Sequence, residues 1–585
     1  MSIDWDTIAH PRLVFRPFSS RRSVVYGTKG AVACSQPLAA EAGLEILRKG
    51  GNAADASVAV SAALNVTEPG SCGIGGDAFC LFYDAKAKQV KGLNGSGRSP
   101  QALTIAAARK AGIVGDTIPS TDLNSVTVPG AAAAWVDVVQ EFGSHHVTLH
   151  EVLDPAIRMA KAGSGSELSA YGWKGSEDLI RNASPDHEAM LLNGRAPLPG
   201  EVMRFPDLAK TFRLLADKGK DGFYTGPVAQ AIVDLIKSKG GVMELEDLSR
   251  HTSTFVEPIH YTFQDQCPPN GQGITALLAL GILDAMQDSG KIKPLLEMEH
   301  NSAEYLHALI EALRYALKAL GIDFVLAETI SFRFPVLRDR SGCRTCPVKE
   351  LLSKEYFRKR AEIFDPQKAI ADVRHGSPVQ ASDTVYFSVT DQWGNGCSFI
   401  QSNYAGFGTG AIPHKCGFTL QNRGSGFILK EGHPNQLQGG KRPYHTIIPA
   451  IATRGDELFM VYGNMGGFMQ PQGHVQLLLN VLRGFSVQAA VDAPRFCISA
   501  GVPSGEVNSS SAGDVNSEVY FESEIPDAVV KELNEMGHDT RKVEGFAQGV
   551  VGRGQIIQRV PTPGGGLVWA AGSDPRGDGH AVVQI

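Results

Sequence analysis

DTVYFSVTDQWGNGCSFIQSNYAGFGTG, residues 383–410, is the stretch from which the fold of this chain is read. Val385, Phe387 and Val389 alternate with Thr384, Tyr386, Ser388 and Thr390. That period of two marks a strand with one apolar and one polar face, half-buried. Gln392-Trp393-Gly394 suits a three-residue turn, with Gly394 in the left-handed conformation. Cys397 to Ser402 returns antiparallel, and a register symmetric about Trp393 sets Thr384 directly across from Ser402. Two hydroxyls then face each other at the open end of a hairpin, just after Ser382-Asp383. Two readings stay open here: an ordinary hairpin with a solvated polar face, or a reactive pair.

The chain has 585 residues, 43% hydrophobic and 20% charged, which is enough for a large core in an ordinary globular protein. A net charge of −6 argues against a nucleic-acid or anionic-membrane partner. No apolar run approaches the length of a membrane span, and the first residues lack the apolar segment of a secretory signal. The final AVVQI carries no anchor or peroxisomal address. Nine cysteines, an odd number in so long a chain, are no disulfide framework; reduced, buried thiols in a cytoplasmic protein are expected.

Residues 1–30 read as an irregular lead-in. Helical spacing predicts a helix from Pro37 to Lys49, with Leu38, Ala42, Leu44, Ile46 and Leu47 as its apolar stripe and Gly50-Gly51 as its stop. An Ala-rich helix from Ala53 to Leu64 follows, then a strand pair, Ala78–Tyr83 and Val90–Leu93. Helices dominate residues 104–193 and 205–239, and an amphipathic helix covers residues 301–320. The last third, from Asp383 on, is richer in strands and Gly turns. Helical runs bracketing a strand-rich segment predict an α+β fold of the αββα kind, with no linker dividing it.

Gly73-Ile74-Gly75-Gly76-Asp77 resembles a nucleotide loop only superficially, because a strand pattern follows it where phosphate binding needs a helix. Cys343 and Cys346 lack a second pair at metal spacing, and His145, His146 and His150 lack carboxylate or Cys partners, so no metal and no cofactor is expected. There is no Gly-x-Ser-x-Gly elbow. Gly466-Gly467 follows the strand pattern Glu457–Tyr462 and can aim consecutive backbone N–H groups at one point, as an oxyanion requires; a plain tight turn is the alternative. Arg98, among small residues after a strand, could fork onto a carboxylate; a surface Arg is the alternative.

These stretches together resemble the γ-glutamyltranspeptidase family of N-terminal-nucleophile hydrolases. The resemblance runs from Gln36-Pro37-Leu38-Ala39 and Gly50-Gly51-Asn52-Ala53-Ala54-Asp55-Ala56 through Glu68-Pro69, Gly73–Asp77, Val128-Pro129-Gly130, Asp383-Thr384, Gly406–Gly410 and Gly466-Gly467 to Ala493-Pro494-Arg495-Phe496 and Ala571–Arg576. It implies a four-layer αββα sandwich made as one precursor. The precursor cleaves itself between Asp383 and Thr384 into a large part, residues 1–383, and a small part, residues 384–585, which stay associated and intertwined in one domain. It further implies that Thr384 is the nucleophile, that Ser402, at a position usually Thr, orients it, and that Gly466 and Gly467 hold the oxyanion.

The chain departs from the family pattern around the acyl pocket. Arg98 matches the carboxylate-binding Arg. Tyr404 stands where Asn is usual, Arg423 where Gln is usual, Gly426 where the Asp that pairs with a substrate ammonium is usual, and His445-Thr446 where two Ser are usual. One negative charge is lost and one positive charge gained. The expected substrate is therefore an amide of a small carboxylate-bearing acyl group without an ammonium, as in the amidohydrolase and acylase branch, with hydrolysis favoured over transpeptidation. The alternatives are a glutathione hydrolase or γ-glutamyltransferase acting on γ-glutamyl amides, and an unprocessed, non-catalytic member. Residues 319–345 do not resemble the family.

Overall fold

A computed structural model describes residues 22–263, 273–322, 348–370, 383–433, 435–498 and 518–585. The hairpin is present: β6 (Asp383–Thr390) pairs antiparallel with β7 (Gly396–Tyr404), and Thr384 lies opposite Ser402. The turn is organised by Asp391. Its Oδ1 accepts the N–H groups of Trp393 (2.9 Å) and Asn395 (3.0 Å), and its Oδ2 accepts the N–H of Ala53 (2.9 Å). Gly394 supplies the left-handed step at φ +89°. One carboxylate therefore closes the turn and ties it to the start of the Ala-rich helix Ala53–Thr67, itself capped by Asn52.

The half-buried expectation fails in an informative way, because both faces of β6 are buried. Val385, Phe387 and Val389 pack among helices, whereas Thr384, Tyr386, Ser388 and Thr390, all at most 1% exposed, face a second sheet. Three of the four hydroxyls find partners there, and Thr390 Oγ1 has none among the described residues. Tyr386 Oη shares hydrogen bonds with Ser388 Oγ (2.9 Å) and Ser398 Oγ (2.8 Å), and Ser388 Oγ donates to Val461 O (3.2 Å). A buried hydroxyl without a partner is costly, so this ladder lets a polar face be the inside of a sandwich.

The remaining strands are β1 (Val25–Gly27), β2 (Gly30–Cys34), β3 (Asp77–Asp84), β4 (Gln89–Gly95), β5 (Thr254–Val256), β8 (Ala450–Arg454), β9 (Glu457–Met465), β10 (Phe496–Ile498), β11 (Glu518–Glu522), β12 (Asp539–Val543), β13 (Arg553–Val560), β14 (Val568–Ser573) and β15 (His580–Gln584). They form a seven-stranded sheet, β15-β2-β6-β7-β3-β4-β5, a five-stranded sheet, β1-β14-β13-β9-β8, and a small three-stranded sheet, β10-β11-β12. The two large sheets stack. Ala31, Leu81 and Tyr83 of one meet Val461, Ile557 and Trp569 of the other in a closed apolar layer. Helices Pro37–Arg48, Ala53–Thr67 and Ala131–Phe142 cover the outer face of the first sheet, and Met469–Leu482 with Val487–Asp492 cover that of the second. This is the four-layer αββα sandwich.

Strands from before and after Asp383 alternate in the first sheet: β15, β6 and β7 are interleaved with β2 and β3. Two local expectations need correction. Leu38, assigned to an apolar stripe, is 50% exposed because Pro37 and Leu38 begin the helix before its inward face engages. The lead-in contains β1, which pairs with β14. Cys343, Cys346 and the 323–345 part of the stretch unlike the family lie outside the described residues. The six described cysteines are all buried and unbridged, as anticipated. Among the described residues no helix is long and apolar enough to cross a membrane.

Candidate active site

Sheet register builds the site. Ser402 on β7 pairs with Thr384 of β6 on one side and with Asp77 of β3 on the other. The three side chains therefore stand in one row on the inner face, at cross-strand spacing. All three residues are fully buried. Thr384 Oγ1 donates to Ser402 Oγ at 3.1 Å. The same oxygen accepts the Tyr404 N–H at 2.9 Å and, at longer range, Arg423 Nη2 at 3.3 Å.

Tyr404 closes β7 with φ +79°, a left-handed conformation that a bulky residue adopts only where its surroundings impose it. The turn brings its ring under Arg423, whose Cζ lies 4.1 Å from the ring centroid. Arg423 is fully buried in the short 3-10 turn Arg423–Gly426. Its Nη1 donates to Thr446 Oγ1 at 2.8 Å, and its Nε–H has no partner among the described residues. No carboxylate of the described residues forms an ion pair with it. Burial pulls the guanidinium pKa down to about 10, so it stays charged at neutral pH. Burial pushes the Tyr404 phenol up to about 12, so it stays neutral.

His445 points elsewhere: its Nε2 lies 3.0 Å from Asp77 Oδ2, and its ring packs on Phe79. Burial, reinforced by the charge of Arg423, lowers its pKa to about 4. Neutral His445 therefore donates to the Asp77 carboxylate. Burial of that carboxylate works to raise its pKa, but the His445 hydrogen bond, nearby positive charge and the Gly97 N–H outweigh it, and Asp77 stays ionised. Gly97 N (2.9 Å) and Gln421 Nε2 (3.0 Å) both donate to its other oxygen. Sequence reasoning missed Asp77 and Gln421. The Gly-rich run ending at Asp77 is read in the sequence as no phosphate loop and as one stretch of the family resemblance, with no role given to Asp77.

Gly466 (φ +124°) and Gly467 (φ +55°) form the turn from β9 into the helix Met469–Leu482, in backbone space that favours glycine. Met465, the residue before them, packs with Tyr386, two positions along β6 from Thr384. Arg98 is not gathered into the Thr384–Arg423 cluster. It is exposed on the loop after β4, and its side chain has no hydrogen bond among the described residues. Its charge, after burial, lowers the pKa of the half-buried Arg442, whose guanidinium donates to Ser96 O at 2.8 Å. The candidate site thus holds Arg423 and one carboxylate, Asp77, on which three donors already converge.

His145, His146 and His150 are exposed at the start of the helix Leu149–Ala162. A different group, His307, Glu311 and His538, could geometrically face a cation. Its hydrogen bonding argues otherwise. Arg314 Nη1 lies 3.0 Å from His538 Nδ1, and a guanidinium only donates, so His538 carries its proton on Nε2 and gives it to His307 Nδ1 at 2.7 Å. Glu311 is taken by Arg314, Tyr315 and the Ile370 N–H. The ligand lone pairs are used and a positive charge already sits among them.

Burial also sets an acid limit. His251, His445 and His474 have pKa values lowered to about 4, mainly by burial. Unfolded, each titrates near 6.5 and binds a proton that the folded chain does not. Stability should therefore fall progressively as pH drops from about 6.5 toward about 4, and Asp77, held below the usual carboxylate value, should extend the loss at still lower pH. Calorimetry between about pH 8 and about pH 4 checks this, and a Tm constant through that window would contradict it.

The whole chain matches known proteins. The profile of the family described as Gamma-glutamyltranspeptidase covers residues 39–584. A glutathione hydrolase-like YwrD proenzyme of Bacillus subtilis (strain 168) is 35% identical over 95% of this chain and 99% of its own length. An oxamate amidohydrolase proenzyme of Klebsiella pneumoniae is 30% identical over 95% of this chain and 98% of its own. The crystal structure of a cephalosporin acylase from Bacillus halodurans superposes with a TM-score of 0.82 at 37% identity, covering 98% of each chain. The chain therefore belongs to the γ-glutamyltranspeptidase family.

Proposed function

We propose that this protein is a self-processing amidohydrolase that transfers a small, carboxylate-bearing acyl group from an amide to water through Thr384. In the precursor, Thr384 Oγ1 attacks the carbonyl carbon of Asp383. The acyl group shifts from nitrogen to oxygen, and water hydrolyses the ester, leaving residues 384–585 with a new α-amine on Thr384. That amine titrates near about 7.7–8.0 and serves as base for its own hydroxyl. Attack on a substrate amide then releases an amine and leaves the acyl group as an ester on Thr384. Ser402 orients the nucleophile, and the Gly466 and Gly467 N–H groups stabilise the tetrahedral oxyanion.

One observation carries the substrate assignment: Arg423, a buried cation in ion-pair contact with no carboxylate of the described residues and feeling Asp77 only at longer range, donates to the same Ser402 oxygen as Thr384. Burying a charge without a counter-ion is expensive, and a substrate carboxylate would supply one. Tyr404 gives the guanidinium a face to lie on, Thr446 fixes its edge, and Arg98, exposed on the loop after β4, is the second candidate contact. An ammonium is less well served, because Asp77 already accepts from His445, Gln421 and Gly97 and has about one acceptor position left. Two relatives fit the same chemistry: oxamate is an amide that carries a carboxylate, and an acylase acts on an acyl amide.

The name of the Bacillus subtilis relative keeps open a second reading, hydrolysis or transfer of γ-glutamyl amides. A third is a chain that is never cleaved and does no chemistry. Intact mass and N-terminal sequencing of the purified protein, followed by assays with glutaryl- and γ-glutamyl-p-nitroanilide, separate the three. We expect a fragment beginning TVYFSV and faster hydrolysis of the glutaryl compound. Preference for the γ-glutamyl compound would select the second reading, and an uncleaved, inert chain the third.

A further inference from the structure

The Gly466–Gly467 turn is backed by a group of buried polar residues to which sequence reading gave no task. Asn464 stands at the end of β9, fully buried. Its Nδ2 donates to Met465 O at 2.9 Å and lies 3.4 Å from Val551 O. Its Oδ1 accepts from Arg495 Nη1, which fixes which way round the amide sits. Arg495 is in turn held by an ion pair with Asp574. Asp574 also accepts the Gly554 N–H (2.6 Å) and Arg576 Nη1 (3.1 Å), and Arg576 pairs with Glu522, whose carboxylate takes the Arg495 N–H (2.8 Å). Two guanidinium groups and two carboxylates thus form a closed, buried lattice whose one amide arm ends on the carbonyl of Met465.

Space behind this arm is walled off. A Cβ on Gly552 would come within 1.8 Å of Met465 O and 2.5 Å of Asn464 Nδ2, and one on Gly473 within 2.5 Å of Asn464 Cγ. Glycine at both places lets the amide and the carbonyl meet.

We propose that Asn464 is a positioning residue that aims the Gly466 N–H at the oxyanion. Met465 C=O and Gly466 N–H belong to one planar trans peptide, so they point in opposite directions and turn as one unit. Anchoring the carbonyl on the Asn464 side directs the N–H away from it. Met465 is the last β9 residue paired with β13, and Gly466, at φ +124°, and Gly467, at φ +55°, have no side chain to restrict the backbone beyond it, so the Asn464 contact adds to the end of the ladder in fixing that peptide. The inference rests on the oxyanion role proposed above for Gly466.

The test is Asn464→Asp, which is nearly isosteric and keeps the acceptor for Arg495 but replaces the donor to Met465 O with a second oxygen. Glu522→Gln is the comparison, because it weakens the same lattice at its far end and leaves the Asn464–Met465 contact alone. With glutaryl-p-nitroanilide, Asn464→Asp should lower kcat by about tenfold to a hundredfold, somewhat less than loss of an oxyanion donor outright, with KM changed less than about twofold. Self-cleavage before Thr384 should slow as well. Glu522→Gln should lower Tm while kcat per folded molecule holds, and Asn464→Ser, which keeps a hydroxyl donor, should recover part of the loss. A cleaved, active wild type with kcat unchanged in Asn464→Asp overturns this inference alone. So does a kcat that falls equally in Asn464→Asp and Glu522→Gln in step with Tm. A wild type that neither cleaves nor hydrolyses overturns it together with the functional reading.

Discussion

Thr384→Ala is expected to remain one polypeptide of 585 residues and to lose amide hydrolysis by at least about 10³-fold. Both losses have one cause. Without Oγ1 there is no atom to accept the Asp383 acyl group, and no released α-amine to act as base afterwards. Folding should be nearly untouched. The deleted hydroxyl makes a 3.1 Å bond to Ser402 Oγ, and that oxygen keeps the Tyr404 N–H and Arg423 as donors, so the stability cost should be about 1 kcal/mol. Electrophoresis after prolonged incubation, a thermal melt and the anilide assay read the three quantities separately. Thr384→Ser should cleave and turn over, more slowly. An alanine variant that still yields a fragment beginning one residue after Asp383 would remove the chemical basis of the proposal.

The second large effect is expected at Arg423. Arg423→Met should lower kcat/KM for glutaryl-p-nitroanilide by about a hundredfold, the loss of a charge-assisted contact with a carboxylate in a dry site. It should affect the γ-glutamyl compound less, narrowing the preference between them. Its effect on Tm should be small or favourable. The wild type holds a fully buried guanidinium with no ion-pair partner among the described residues, and methionine removes that desolvation cost while filling most of the volume. Activity lost without stability lost is the signature of a side chain retained for its ligand. If Arg423→Met instead unfolds the protein, or lowers both substrates equally, Arg423 is a structural cation and the substrate assignment fails.

The hairpin was legible because two independent signals agree on it: alternation along residues 384–390 and a turn symmetric about Trp393, which together fix Thr384 against Ser402. What local pattern could not convey is what covers each face. The Thr-Tyr-Ser-Thr face looks solvated in sequence and is sealed by β9 and β13 in the fold, where Thr384, Tyr386 and Ser388 find hydrogen-bond partners on β6, β7 and β9. Asp77 escaped notice because its place beside Ser402 depends on the pairing of β3 with β7, far apart in the chain. Arg423 was suspected only through the residue usual at its position. Nothing in Gln421-Asn422-Arg423-Gly424 announces a buried guanidinium, since an Arg in a polar turn is ordinarily at the surface. Arg98, by contrast, lies exposed, as its residue type alone would suggest.

The interleaving of β6 and β7 with β2 and β3 constrains how such a protein can be made. The β6–β7 pair of the later portion lies between β2 and β3 of the earlier one, and β1 of the earlier portion edges the other large sheet, so neither portion owns a large sheet whole. Each, synthesised alone, would present long unpaired edges, the kind of surface that aggregates. The cut proposed before Thr384 would therefore follow folding, and a gene split at codon 384 should yield insoluble halves even when both are produced in the same cell. Continuity of the newly made polypeptide would be the assembly device, and the proposed cleavage would discard it once the sheet has closed.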